Sequence, residues 1–300
     1  MIYIAHHSIY AHPLPEGHRF PMLKYELLPE QLVYEGTCKR EQFFAPTRIA
    51  HEHVLRTHSE TYYNQLLNLS LTKKEIRRIG FPLSEALIER ECVIAQGTLE
   101  GCDYAFKNGI AFNIAGGTHH AFYDRGEAFC LLNDQAIAAN YLLATGKARQ
   151  ILIIDLDVHQ GNGTAALFQN NSRVFTFSMH GKANYPFQKE KSDLDIALSD
   201  NTQDNEYLEL LEEQLHLLLK TLTPDFVFYL SGVDVLKEDK LGRLALSLEG
   251  AQKRDELVLS SCYEHTIPVQ CSMGGGYAPE VNLIVEAHAN TYRVASSLYD

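Results

Sequence analysis

The chain has 300 residues and a formal net charge of -12, with 45% hydrophobic and 21% charged residues. That length and composition suit a soluble globular protein with a sizeable core. The acidic balance argues against direct nucleic-acid binding, which needs a basic surface, and is compatible with a cationic substrate such as a lysine side chain or a polyamine.

The N-terminal Met1-Ile2-Tyr3-Ile4-Ala5-His6-His7 lacks the charged and long apolar regions of a signal peptide, and no apolar run reaches the length of a membrane span. The six cysteines, Cys38, Cys92, Cys102, Cys130, Cys262 and Cys271, form no C-x-x-C pair. They read as buried small hydrophobes in a reducing compartment, which places the protein in the cytoplasm.

Apolar runs alternate with helical patterns along the chain. Ala111–Ile114 is predicted as a short strand, followed by a helix from Leu132 to Thr145. Ile151–Ile154 and Val174–Ser178 are the next strands, the first continuously apolar as in a strand buried on both faces. A helix is predicted over 205–221, with Leu208, Leu211, Leu215 and Leu218 at helical spacing inside it and Leu222 continuing the spacing just beyond. Phe226–Leu230 is a buried strand, Leu248–Glu264 a helix, Ile267–Cys271 a strand and Pro279–Ser297 a last helix. Strands joined by helix-length crossovers predict one α/β domain over residues 1–300, a three-layer α/β/α sandwich around a mostly parallel sheet.

Ligands of such sheets sit beyond the carboxyl ends of the strands. Five polar clusters follow strands and should gather there: Gly116–His120, Asp155–His159, Ser178–His180, Ser231–Asp234 and Gly274–Tyr277. In the richest, Asp155, Asp157 and His159 alternate, so a strand end would turn all three to one side. An Asp oxygen and a His nitrogen suit a divalent metal, and Asp234 would complete a three-ligand set with open positions for water and substrate. Taken alone, each has a bland alternative, a solvated strand end for Asp157 and a turn for Asp234. His119 and His120 after Gly116-Gly117 suit acid/base work beside a metal, direct metal ligation, or a plain surface pair. Gly274-Gly275-Gly276 reads as a loop that approaches a ligand closely and presents the Tyr277 hydroxyl, or as a flexible loop ending in a core tyrosine. His51, His53 and His58, near an exposed helix start, and Cys130, at an apolar helix start, read as structure.

Taken in order, the motifs GGTHHAF, FCLLND, DLDVHQGNG, SGVDVLKEDKLGRLALS and GGGY resemble the histone deacetylase family of the arginase–deacetylase fold, with further likeness over His12–Met22. The stretches DLDVHQGNG and DKLGRL look most like its class IV branch and bacterial relatives. The resemblance implies a hydrolase that removes an acyl group, acetyl or longer, from protein lysine side chains. Asp157, His159 and Asp234 would bind Zn²⁺, or Fe²⁺, which the same ligands suit. His120 would be the general base and then the acid, and His119 its electrostatic partner, held by Asp155. Tyr277 would donate a hydrogen bond to the substrate carbonyl. Phe129, Tyr185, Phe187 and Gly275 would line the acyl-lysine channel, and a structural K⁺ would sit near Asp155 and Ser178. Two positions depart from the pattern. Asn162 stands where part of the family has an Asp that orients the base, and Ala128 stands where many members have a Gly before the channel Phe.

Three other readings compete. An acetylpolyamine or other small-amide deacetylase would share this site. An arginase-like ureohydrolase would need an Asp-x-Asp at the later strand end, where Val233-Asp234-Val235 supplies one Asp. A catalytically silent acyl-lysine binding module would be expected to have lost a ligand, the base or the tyrosine. The acyl length and the oligomeric state are not legible in the sequence.

Overall fold

The computed structural model describes residues 1–300. Eight strands, β1 (Tyr3–Ala5), β2 (Phe43–Phe44), β3 (Ile110–Asn113), β4 (Ile151–Asp155), β5 (Val174–Gly181), β6 (Leu194–Leu198), β7 (Phe226–Leu230) and β8 (Val269–Ser272), form one sheet in the order β2-β1-β3-β8-β7-β4-β5-β6. Every strand pair is parallel, so the sheet is entirely rather than mostly so. Ten α-helices accompany it: α1 (Lys24–Tyr34), α2 (His51–Leu55), α3 (Glu60–Leu67), α4 (Lys73–Ile79), α5 (Glu85–Asn108), α6 (Asp134–Ala144), α7 (Asn162–Phe168), α8 (Asp204–Leu222), α9 (Leu248–Glu264) and α10 (Val281–Tyr299).

The two-residue side-chain period of the strands divides the core in two. Leu152 and Ile154 of β4 join Val227 and Tyr229 of β7 in a cluster with α1, α8, α9 and α10. Ile151 and Ile153 join Phe226 and Phe228 in a second cluster with α3, α5 and α6. Helices therefore cover both faces, giving the three layers.

Element ends follow local chemistry. The helix expected from Leu132 starts at Asp134, because Asn133 caps it by accepting from the Ala136 N–H. The strand expected from Ile267 starts at Val269, just after Pro268, which has no N–H to donate. The cluster Ser178–His180 lies inside β5, not beyond it, because that strand runs to Gly181. Cys130 lies in a turn closed by Glu127 rather than at a helix start. All six cysteines are free and buried. His58 is buried, not exposed, with its ring between the Phe122 carbonyl (2.8 Å) and the Asn133 N–H (2.9 Å).

Arg254 on α9 ties the sheet to the loops above it. Fully buried, it pairs with Asp255 and donates to the carbonyls of Leu156, Gly232 and Ser231. Asp255 also accepts from Tyr229 Oη and Thr291 Oγ1. Removing the guanidinium would strand a buried carboxylate. Arg254→Met is expected to lose about 3–5 kcal/mol of unfolding free energy by urea titration. A loss below about 1 kcal/mol would show that the pair is dispensable.

Candidate active site

The loops at the carboxyl ends of β3, β4, β7 and β8 converge on one cavity of about 540 Å³. His119, His120, Asp157, His159, Gly275 and Tyr277 are on its wall, together with Phe129, Tyr185 and Phe187. Asp155, Asn162 and Asp234 stand behind that wall and hold it by hydrogen bonds.

Asp157, His159 and Asp234 are all buried, and one ligand atom from each lies within 4.8 Å of the others. His159 Nδ1 is 3.0 Å from Asp157 Oδ1 and 3.1 Å from Asp234 Oδ2, so two carboxylates face one nitrogen. The remaining oxygens are fixed by backbone. Gly275 N–H donates to Asp157 Oδ2 (2.8 Å) and Val158 N–H to Asp234 Oδ1 (2.9 Å). Burial, then the charge of Asp157, raises the Asp234 carboxyl to about 7. Burial alone would lower His159, but its hydrogen bonds to both aspartates raise it to about 10. So strong a demand for positive charge at the focus of two oxygen donors and one nitrogen fits a divalent cation.

Gly275 has a steric reason. A methyl group there would collide with the carboxylates of both Asp234 and Asp157.

The two histidines of the Gly116–His120 loop are set apart by their partners. Asp134 at the start of α6 anchors the loop by accepting from Thr118 N–H (2.9 Å) and Thr118 Oγ1 (2.7 Å). His119 Nδ1 meets Asp155 Oδ2 at 2.7 Å. Burial opposes charging His119, and the charge and hydrogen bond of Asp155 outweigh it, so its pKa is raised. His120 Nδ1 meets Asn162 Oδ1 at 2.6 Å, and that oxygen also accepts from Gly163 N–H at 3.1 Å. The acceptor identity assigns the proton to His120 Nδ1 and leaves Nε2 bare. Burial and the neighbouring His119 and His159 push His120 well below the usual histidine range, so it is neutral.

Tyr277 sits beside His159, with ring centroids 6.5 Å apart, and its hydroxyl has no hydrogen-bond partner within the protein. Burial, then the charges of Asp234 and Asp157, pushes its pKa well up, so it remains a donor. Asp239 holds the residue in place, accepting from its N–H at 2.6 Å.

Phe129 packs against Tyr277 at 6.1 Å, and Tyr185 stands edge-on to His120 at 5.0 Å. Phe187, 88% exposed, belongs to the mouth rather than the depth. Ala128 and Phe129 both adopt left-handed backbone, with φ of 42° and 68°. A glycine before the channel Phe suits this turn because it takes that conformation without strain. Ser178 pairs in register with Asp155, and its hydroxyl meets His180 Nδ1 at 3.0 Å.

Sequence reasoning missed Phe20 and Lys24. Phe20 packs on both Phe129 (5.1 Å) and Tyr277 (5.9 Å), and the only signal was the likeness over His12–Met22. Lys24 is fully buried, without a carboxylate partner, and its Nζ donates to the Gly274 carbonyl at 3.3 Å. Burial lowers it to about 8, against the pull of Asp234 and Asp157.

The family model described as "Histone deacetylase domain" matches residues 18–292. An uncharacterised protein of Picosynechococcus sp. is 43% identical, over 99% of both chains. Histone deacetylase 2 of Arabidopsis thaliana is 29% identical, over 92% of this chain and 74% of its own. The crystal structure of an HDAC homolog complexed with SAHA has a TM-score of 0.85 and 25% identity, over 99% of this chain and 84% of that one.

Two substitutions test the geometry. Gly275→Ala is expected to weaken divalent-cation binding about 10–100-fold by calorimetry, the usual effect of disturbing what orients the ligands. Unchanged affinity would detach Gly275 from the ligand set. Ala128→Gly is expected to gain about 1 kcal/mol in urea unfolding by relieving left-handed strain. A loss of stability would mean that the turn is unstrained.

Proposed function

The chain belongs to the histone deacetylase family, and from that premise we propose that it hydrolyses the acyl amide of acylated lysine side chains with one bound divalent metal, Zn²⁺ or Fe²⁺. One observation carries this reading: Asp157 and His159, with Asp234 directly behind them, share a cavity with a bare, neutral His120 nitrogen and a free Tyr277 hydroxyl. No helix is long and apolar enough to cross a membrane.

A cation held by Asp157, His159 and Asp234 would polarise the amide carbonyl and acidify water. His120 takes a proton from the attacking water at Nε2, with Asn162 holding its Nδ1–H. The protonated His120 then gives a proton to the leaving nitrogen, and the C–N bond breaks to a carboxylate and an amine. Tyr277 donates its O–H to the carbonyl oxygen as negative charge grows there. His119, whose charged form Asp155 supports, is the electrostatic partner of His120, with ring centroids 4.1 Å apart. A structural K⁺ near Asp155 and Ser178, which pair in register, is part of the same proposal. The silent-module reading predicts a missing base or tyrosine, and both groups are present on the cavity wall.

The first test is turnover of paired fluorogenic peptides, acetyl-lysine and long-chain acyl-lysine, with metal assayed on the same preparation. Hydrolysis lost with chelator and restored by Zn²⁺ is the expected result. Inactivity on both, with one metal bound per chain, would contradict the reading. Tyr277→Phe is expected to lower kcat about 10²–10³-fold while keeping the metal. Near-normal turnover would remove its hydroxyl from the chemistry. Asp157→Ala is expected to abolish metal binding, and stoichiometric metal there would mean a different ligand set.

A further inference from the structure

The charge of the protein inverts at the cavity. The chain carries 38 acidic and 26 basic residues. Yet the cavity wall holds four arginines, Arg19, Arg78, Arg90 and Arg243, and a single carboxylate, Asp157 of the metal-ligand set. Arg90 is structural: it is buried, paired with Glu91, and donates Nε to the Tyr10 carbonyl at 2.8 Å.

The other three arginines are exposed and come from separate segments. Arg19, in the loop before α1, forms no ion pair, and its guanidinium lies 5.0 Å over the Phe129 ring. Arg78, in the last turn of α4, accepts the Ala128 N–H at its own carbonyl (3.0 Å), so it flanks the same aromatic wall. Its nearest carboxylate, Glu127 at 3.9 Å, is already engaged by Arg125 Nε (2.9 Å) and by Tyr185 Oη (2.7 Å). Arg243, in the loop after β7, pairs with Asp200 at 3.1 Å.

Two weakly satisfied guanidiniums thus bracket the wall past which a substrate must enter. Guanidinium groups take carboxylates in bidentate geometry, whereas a second ammonium on the substrate would meet like charge. We infer that Arg19 and Arg78 select an acylated amine that carries a carboxylate a lysine side chain's length from the reacting amide, and reject acylated polyamines. The carboxylate is a flanking acidic residue of a peptide or the α-carboxylate of free Nε-acyl-lysine. The inference rests on the deacylase reading for the identity of the reacting group, but its charge preference is measurable by binding alone.

The test is fluorescence anisotropy of labelled acetyl-lysine peptides with glutamate or with lysine on both sides. The glutamate peptide should bind about tenfold or more tightly, and the gap should shrink as salt screens the exposed arginines. In the Arg19→Glu/Arg78→Glu double variant, checked for folding by circular dichroism, the order should reverse. Displacement by free Nε-acetyl-lysine would assign the carboxylate to the amino acid itself, and its failure would assign it to peptide side chains. Equal binding of the two peptides, an unchanged order in the double variant, or equal displacement by N-acetylputrescine would overturn the inference. Charge-selective binding without hydrolysis would sink the deacylase reading alone. Hydrolysis of all substrates without charge preference would sink this inference alone.

Discussion

Asp157 and Asp234 bring two carboxylates to within hydrogen-bonding distance of one nitrogen, His159 Nδ1, where all three residues are buried. An uncompensated pair of this kind is among the costliest arrangements a protein interior can hold. Much of the surrounding structure answers that cost. Backbone N–H groups of Gly275 and Val158 fix one oxygen of each carboxylate. Arg254 binds the carbonyls of Leu156 and Gly232, each adjacent to or within two residues of a ligand. Lys24 adds a buried ammonium behind the glycine loop. A divalent cation completes the balance, which ties the stability of these loops to the chemistry they perform.

The parallel sheet makes the convergence possible. Strands β7 and β4 are neighbours, and β8 lies next to β7, so their following loops emerge side by side. Ligands from two loops, a tyrosine from a third and a histidine pair from the loop after β3 then meet without long excursions. Close approach sets the glycines: Gly275 leaves no room for a methyl group against the two aspartates. The rest of the lining is built from aromatic rings and a left-handed turn at Ala128 and Phe129, with the exposed Arg19, Arg78 and Arg243.

Legibility in the sequence followed the strength of local pattern. The strands β4 and β7 and the helix α8 were legible because continuous apolar runs and leucine spacing are strong signals. β1 and β2 were not, since three and two residues carry no periodicity. α5 escaped notice because residues from both core clusters interrupt its stripe, with Val93 and Ile94 in one and Leu87 and Cys92 in the other. Most candidate site residues were readable from order and chemistry, and the structure brings them to one cavity or directly behind it. Lys24, Arg254 and Asp239 were not, because a single charged residue in an ordinary helix or loop looks solvated until its burial is known. The role of Ala128 needed the backbone angle, which composition does not carry.

The account turns on a single cation held by Asp157, His159 and Asp234. The most direct measurement is an anomalous difference map at the zinc edge, from crystals of the protein grown with Zn²⁺. The account requires one strong peak bonded to the Asp157 and Asp234 carboxylates and His159 Nδ1. A map with its peak elsewhere, or with those three side chains bonded to one another and no peak between them, would contradict it.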